Sequence, residues 1–274
     1  MDDNSLQLQH LSNVFPSLQD TLEMARLSGL VYEFLGHDAC NATNAQGEPL
    51  LPSDLRCHMY NHSHAHGTQV MILSSTSQQY IAIVYAGTDD LRTTLTDGDI
   101  LMKPFGTLDE NGDSILIPGP ARVHAGFDNA VFMSGLFDPL LDSLKTLLHH
   151  NPHYRLFTTG HSLGAADSIL TAVALTKYLI VNVTSISFGC PNTGNWHWHD
   201  AVHELSPRLA IWRFVHGWDV VPRLPQYPFE HVGHTVQMNT DSMKAYYLHY
   251  GNQTLGYEGV PLGWSGTFQT RELS

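Results

Sequence analysis

Gly160-His161-Ser162-Leu163-Gly164 sets a serine between two glycines at a spacing that suits nucleophilic catalysis. Glycines at these places let the chain turn sharply from a strand into a helix, leaving the serine hydroxyl at the top of the turn. The helix that follows offers free N–H groups and the positive end of its dipole. An oxyanion formed when Ser162 attacks a carbonyl would then meet the backbone N–H of Leu163. A serine hydroxyl is a weak nucleophile on its own, so the chemistry also needs an imidazole base and an acid that orients that base. Asp219 follows an apolar run, Leu209 to Val215, and stands where the carboxyl end of a strand would present a carboxylate. The plainer reading of Gly217-Trp218-Asp219 is a turn aspartate. Three histidines lie downstream of it: His231, His234 and His249. The chemistry implied is acyl transfer through a covalent acyl-serine.

The surrounding elements are what such a serine requires. Arg155 to Thr159 reads as a short buried strand aimed at Gly160, and Ala165 to Leu179 is an Ala- and Leu-rich stretch of helical length. A chance Gly-x-Ser-x-Gly seldom has both neighbours. Upstream, Thr21 to Phe34 spaces Leu22, Ala25, Leu27, Leu30, Val31 and Phe34 as an amphipathic helix. Gln69 to Ser74 and Tyr80 to Tyr85 read as two strands joined by a polar turn. Asn129 to His150 reads as one long helix closed by Asn151-Pro152, and Val183 to Phe188, Leu209 to Val215 and Glu230 to Met238 supply further strands. Strand and helix alternate, which predicts an α/β fold with a mostly parallel sheet covered by helices.

Composition narrows the class. The 274 residues are 42% hydrophobic and 14% charged, with no repeat and no linker that would divide two cores, so a single domain over 1–274 is expected. The formal charge of −13, with no basic patch, argues against nucleic acid and anionic membrane surfaces as partners. No run approaches the ~20 apolar residues of a spanning helix, and the first residues, MDDNSLQLQH, are acidic and polar where a signal peptide is basic and then apolar. A soluble chain without a visible address is the expectation, secreted if a leader has been removed and cytoplasmic otherwise. Cys40, Cys57 and Cys190 do not make a disulfide framework, although Cys40 and Cys57 can pair across a loop. Asn41, Asn61, Asn182 and Asn252 begin Asn-x-Ser/Thr triplets, which matter only in a secreted protein.

Around the serine turn the chain resembles the class 3 lipases, the group that includes filamentous-fungal triacylglycerol lipases and some feruloyl esterases. The landmarks are Tyr85-Ala86-Gly87-Thr88, Val123-His124-Ala125-Gly126-Phe127, the serine turn, Phe188-Gly189-Cys190-Pro191 with Gly194-Asn195, and Asp219-Val220-Val221-Pro222 running to Leu224-Pro225. The resemblance implies an α/β-hydrolase fold and a triad of Ser162, Asp219 and a late histidine. It implies Thr88 as second oxyanion donor beside Leu163, although Gly87-Thr88 alone reads equally as a turn closing a strand. Ala86 stands where the family frequently has arginine. His231, in Phe229-x-His231-x-Gly233, matches a structural feature of the family. His249, followed by Tyr250-Gly251, resembles its late histidine and is expected after the last strand, on a loop able to fold over the serine. It lies 30 residues after Asp219, a shorter interval than the fungal members suggest. His234 is the alternative base, although the family often has an acidic residue one place further on, where this chain has Thr235.

The resemblance also makes the segment of about 89–120 a lid and hairpin insertion. Leu91, Leu95, Ile100, Leu101, Met102 and Phe105 alternate with acidic residues there, so one face would cover an acyl pocket while the other stays wet. Thr93-Thr94 replaces the family's Asn-Trp pair. Leu108 to Ile117 reads as a hairpin with a type I′ turn at Asn111-Gly112. Asp109-x-Asn111-x-Asp113 resembles the start of a calcium loop, but Pro120 occupies the position of the required glutamate, so a turn is the reading. His62-x-His64-x-His66 and His197-x-His199 would each share one face of a strand; without acidic or thiol ligands they read as surface histidines, and no metal or cofactor is expected.

The function expected is hydrolysis of lipid esters by acylation of Ser162, with Asp219 and His249 completing the triad. A fungal-lipase-like enzyme for soluble or feruloyl esters, and a non-catalytic binding protein on the same fold, are the two alternatives. Oligomeric state, chain-length preference and compartment are not legible in the sequence.

Overall fold

The computed structural model describes residues 16–34, 40–87 and 101–238. Beyond them it describes the backbone of three strands, Ala245–Tyr250, Gln253–Glu258 and Thr270–Arg271. The first helix, α1, runs from Leu18 to Leu30, with Ser17 as N-cap accepting the N–H of Asp20, and continues as a 3-10 turn over Val31–Phe34. Strands β1 (Arg56–Ser63), β2 (Thr68–Ser75) and β3 (Tyr80–Ala86) form an antiparallel meander. A disulfide joins Cys40 to Cys57 at its start, while Cys190 is buried and unpaired.

From β3 the sheet becomes parallel through β6 (Arg155–His161), β7 (Val183–Phe188), β8 (Leu209–His216) and β9 (His234–Met238). It ends antiparallel again in β10 (Ala245–Tyr250), β11 (Gln253–Glu258) and β12 (Thr270–Arg271). Two short strands, β4 (Met102–Lys103) and β5 (Val123–His124), pair apart from the main sheet.

Strand residues alternate between two cores because successive side chains leave a strand on opposite faces. Ile81, Ile83 and Tyr85 enter one core with Ile169, Leu170 and Val173 of helix α4 (Leu163–Leu179). Tyr80, Ala82 and Val84 enter the other with Met24 and Leu27 of α1. Burial on both faces explains why β2 and β3 read as continuous apolar runs. Helix α3 (Phe137–His150) and α5 (Trp196–His203) pack on the α4 side through Leu140, Leu144, Trp198 and Val202.

The expected helix from Asn129 to His150 is broken. A short helix α2 (Ala125–Asp128) and a π turn over Asn129–Met133 precede a bend in which Gly135 adopts φ +76°, and α3 starts afresh at Phe137. Apolar spacing continues across the bend, so periodicity alone did not reveal it. The expected type I′ hairpin is a capped turn instead. Leu108 and Ser114 form one isolated bridge, Gly112 takes φ +81°, and Asp109 Oδ1 accepts the N–H groups of Asn111 and Asp113. An Asx turn needs left-handed φ only at Gly112, whereas type I′ needs it at both central residues.

Candidate active site

β6 carries Gly160 and His161 to the carboxyl edge of the sheet, and Ser162 then reverses the chain with φ 59° and ψ −126° before α4 begins. A non-glycine residue held in that region costs about 1–3 kcal/mol, and the surroundings hold it. The Ser162 N–H donates to the Phe188 carbonyl at 3.0 Å, and the Ala165 N–H donates to the Ser162 carbonyl at 3.0 Å. Both flanking glycines are dictated by space. A Cβ at Gly160 would lie 2.3 Å from the Gly164 oxygen, and one at Gly164 would lie 2.6 Å from the Tyr85 oxygen of β3. Ser162 itself is 7% exposed.

Leu163 opens a 17-residue helix, and the N–H groups of Leu163 and Gly164 at its start have no carbonyl one turn back to donate to, so the end of α4 presents donors beside Ser162. β3 arrives from the other side. A Cβ at Gly87 would sit 3.3 Å from Ser162 Cβ, so the chain leading to Thr88 starts against the serine. Thr88 lies outside the described residues.

Asp219 follows β8 and is half-buried. Its N–H donates to the His216 carbonyl at 3.1 Å, and its Oδ1 accepts the N–H of Val221 at 3.0 Å, which fixes the carboxylate. Its Oδ2 lies 3.0 Å from where a Cβ of Gly189 would stand, and His161 Nε2 lies 3.7 Å from the same point. Gly189, at φ +61°, therefore leaves room for both groups. Gly189 sits beyond β7, between β6 and β8, so His161, the residue before Ser162, and Asp219 approach the same gap from the two strands that flank β7.

The late histidines divide clearly. His231 Nε2 is held at 2.5 Å by the Pro222 carbonyl, and burial with the nearby Arg213 guanidinium pushes its pKa well below the usual range. His234 stacks on Trp212 at 4.4 Å between ring centroids, and burial pushes its pKa down to about 4. Its strand row runs through Trp212 and Ile186 to Thr159, three residues before Ser162 and three strands away. At about 4.8 Å per strand that separation is roughly 14 Å. His234 is therefore not a base for Ser162 in this arrangement.

His249 lies within β10, not on a loop after the last strand. Its backbone pairs with Thr235 and Thr254, and its row runs through Thr235, Arg213 and Ser187 to Gly160. Four strand spacings of about 4.8 Å put its backbone roughly 19 Å from β6. Its side chain is outside the described residues. Among the described residues, no histidine is hydrogen-bonded to Ser162 or Asp219.

Of the expected covering segment, Leu91, Leu95 and Ile100 lie outside the described residues. Leu101 is exposed and Met102 half-buried on β4. Phe105 departs from expectation: it is wholly buried, 4.7 Å from Trp198 and 5.3 Å from Phe132 between ring centroids, and so belongs to the core and not to an acyl-covering face. Lys103 Nζ stands 2.5 Å from Asp128 Oδ2, and Asp128 Oδ1 accepts the Gly106 N–H at 2.6 Å, anchoring the segment where it rejoins the body.

The two histidine clusters resolve differently. His62 and His64 meet in a tilted ring contact, 4.0 Å between centroids, on or beside the edge strand β1. His197 and His199 lie on α5, where residues two apart point to different sides, so the expectation of a shared strand face fails. Among the described residues no group of three or more His, Cys, Asp or Glu side chains is placed to hold a metal ion.

One group at the site, Tyr32, carries no mark in the sequence. Tyr32 Oη accepts the Gly87 N–H at 2.9 Å and lies 3.2 Å from His161 Nδ1. Nothing in the spacing of α1 marks Tyr32; only the fold brings it to the serine.

The sequence pattern of the lipase (class 3) family matches residues 82–229, more than half of the chain. A lipase of Rhizopus niveus is 28% identical over 166 residues, covering 59% of this chain and 39% of that protein. A rice phospholipase A1-II is 29% identical over 201 residues, covering 67% and 49%. A secreted mono- and diacylglycerol lipase of Malassezia restricta is 35% identical over 125 residues, covering 44% and 40%. The chain thus spans about two fifths to one half of the length of these relatives. Among solved structures, lipase II from Rhizopus niveus superposes with a TM-score of 0.65 at 23% identity, covering 82% of this chain and 83% of that one. Rhizomucor miehei lipase with its propeptide gives 0.68 at 19% identity, covering 87% and 74%. These structures share the α/β-hydrolase fold, and with the sequence match across the serine turn and the Asp219 strand, the chain belongs to the class 3 lipase family.

Proposed function

We propose that the protein hydrolyses carboxylic esters of lipids, with Ser162 as nucleophile, Asp219 as orienting acid, and the N–H groups of Leu163 and Thr88 as the oxyanion hole. The observation that carries this reading is the strained Ser162 turn at the start of α4, whose preceding residue, His161, shares the gap at Gly189 with Asp219. In the acylation step, Ser162 Oγ attacks the ester carbonyl carbon as its proton passes to an imidazole. The carbonyl oxygen takes the charge against the two N–H donors, and the alcohol leaves carrying the imidazolium proton. Water then adds to the acyl carbon by the same path, releasing the acid and restoring the serine. No step requires a cofactor.

His249 is the base in this proposal, being the only histidine after His234. Its row on β10 means that catalysis requires the chain after Met238 to leave its pairing with β9 and fold over the serine. Leu101 and Met102, with Leu91, Leu95 and Ile100 before them, form the covering face of the lid. Relatives whose names include lipase, phospholipase A1, and mono- and diacylglycerol lipase support a lipid ester and leave its head group to experiment. The Cys40–Cys57 disulfide supports maturation in an oxidising compartment, as does the relative named as secreted. Among the described residues no helix is long and apolar enough to cross a membrane.

The test combines a fluorophosphonate probe with turnover of triacylglycerol and diacylglycerol emulsions, phospholipid vesicles and a soluble short-chain or feruloyl ester. Labelling of Ser162, loss of labelling in Ser162→Ala, and turnover of a lipid ester are expected. Turnover of the soluble ester alone would replace lipid by soluble ester as substrate. The distance of His249 from β6 favours a second reading, a binding protein on this fold, and failure of the folded chain to label would establish it over the first. Loss of turnover in His249→Ala is expected; its retention would remove His249 from the mechanism.

A further inference from the structure

Three segments must keep their places relative to one another for the proposed chemistry: the loop after β3, the serine turn, and the loop that carries Asp219. Tyr32 contacts the first at Gly87, and His161, part of the second, faces the third across Gly189. The Gly87 N–H, buried at the end of β3, donates to Tyr32 Oη at 2.9 Å. Tyr32 Oη also lies 3.2 Å from His161 Nδ1 and 3.5 Å from the His161 carbonyl, and in the relay proposed below its proton goes to Nδ1, the shorter of the two contacts. A ring that accepts at Nδ1 carries its proton on Nε2. That nitrogen faces Gly189, the residue against which Asp219 Oδ2 also rests. The carboxylate acts on the imidazole across the glycine, pulling its pKa up against the larger downward push of burial. Among the described residues Asp219 is the one charged group acting on His161.

We propose that Tyr32 and His161 form a positioning relay, Gly87 to Tyr32 to His161 to Asp219, that holds the oxyanion loop in register with the acid. The inference rests on the proposed hydrolysis and extends it to two residues that touch neither substrate nor reacting atoms. The physical requirement is tight, because oxyanion donors act only at about 2.7–3.1 Å from the developing charge. A Cβ at Gly87, the residue before Thr88, would stand 3.3 Å from Ser162 Cβ and only 2.6 Å from Tyr32 Oη, so the hydroxyl fixes how close the loop stands to the serine. Without that hydroxyl the Gly87 N–H loses its acceptor, and the loop must shift to find another.

The experiment is steady-state hydrolysis of the best ester found for the full chain, with melting temperatures and fluorophosphonate labelling rates measured alongside. Tyr32→Phe keeps the ring and removes only the hydroxyl. It is expected to lower kcat by about 10–100-fold, with KM changed by less than about twofold and labelling slowed in proportion. His161→Asn keeps an acceptor near the Nδ1 position, whereas His161→Phe keeps the ring and loses the acceptor. The Asn variant is expected to retain the higher kcat, which a ring-packing role would reverse. The Tyr32→Phe, His161→Phe double variant is expected to be no worse than the poorer single, since either change breaks the relay. Multiplying losses, an unchanged kcat in Tyr32→Phe, or Phe outperforming Asn at position 161 would each overturn the relay. A wild-type chain that neither turns over an ester nor labels would overturn the proposed hydrolysis instead.

Discussion

Replacing Gly164 by alanine tests whether close packing at the serine turn is what the glycine supplies. The added Cβ would lie 2.6 Å from the Tyr85 oxygen, 2.7 Å from the Ala86 carbonyl carbon and 2.8 Å from the Ala86 oxygen. All three are backbone atoms of β3, which is paired on one side with β2 and on the other with β6 and cannot swing aside as a side chain can. Relief to an ordinary contact of about 3.4 Å or more means moving the start of α4 away from β3 by something under 1 Å. Overpacking of this kind costs about 1–3 kcal/mol. At about 2–4 °C per kcal/mol for a chain near this size, the melting temperature should fall by roughly 2–12 °C. The same shift moves the Leu163 N–H relative to Ser162, and misplacement near 1 Å can cost ~100-fold in rate. A loss in kcat of at least about tenfold is therefore expected. Gly29 is the control: it sits near the end of α1, and a Cβ added there would meet no atom within 4 Å. Gly29→Ala should raise stability by about 0.5–1 kcal/mol and leave kcat alone. Differential scanning calorimetry and initial rates read both variants. A Gly164→Ala protein with wild-type melting and wild-type kcat would refute the packing argument.

Asp167, fully buried on α4 with Oδ1 lacking a hydrogen bond, has its carboxyl pushed well above the usual range by burial. The folded chain thus holds it neutral while the unfolded chain ionises above pH ~4, so it lowers stability progressively from there up to its folded pKa. Urea unfolding should show Asp167→Asn gaining on wild type as pH rises from 4 to 7; a difference independent of pH would contradict this. Histidines run the other way. Burial pushes His124 and His234 down to about 4, and His231 is pushed well below its usual range, so all three stay neutral when the unfolded chain takes up protons. Stability should fall as pH drops from about 6.5 towards 4, and a flat profile by chemical denaturation would count against burial of these rings. Lys103→Met leaves the wholly buried Asp128 without its cation and should cost about 3–5 kcal/mol, unless the carboxyl protonates, in which case the cost should shrink as pH falls. A melting temperature unchanged at pH 7 and pH 5 would show that the ion pair anchors nothing.

The parts of the fold legible in the sequence are those whose local and tertiary requirements coincide. β2 and β3 are buried on both faces, so their apolar runs are dictated by position in the sheet, and α4 is largely apolar all round because it lies between the sheet and the outer helices. The bend at Ser134-Gly135 was hidden because the helices on either side bury the same core and keep one apolar spacing across it. The end of the chain shows the opposite failure. Gly251-Asn252 stands between Ala245–Tyr250 and Gln253–Glu258, a two-residue hairpin signal flanked by aromatic and aliphatic runs, and the strands do pair around it. Reading Tyr246 to Gly251 through the family's late histidine displaced that local signal.

The same contrast governs the site. Ser162 was legible because the turn that exposes it permits only glycine at 160 and 164, and steric exclusion leaves a mark in sequence. Asp219 was legible through its place after a strand. Tyr32 was not, since it fills space created by a distant segment, and that requirement repeats at no spacing along the chain; Gly189 showed only as part of the Phe188-Gly189-Cys190-Pro191 landmark, without its role of vacating space. The base is the hardest member to read for a related reason. Ser162, Asp219 and Gly189 each occupy the end of a parallel strand, whose neighbours fix their position, whereas His249 sits on an antiparallel strand added beyond β9. Pairing with β9 competes with any path that would bring His249 to the serine, so in the proposed mechanism the strand's own stability would set how often the triad assembles. Weakening that pairing with Tyr246→Pro, which removes a backbone donor from β10 itself, should therefore raise turnover if His249 is the base and lower nothing but stability if it is not.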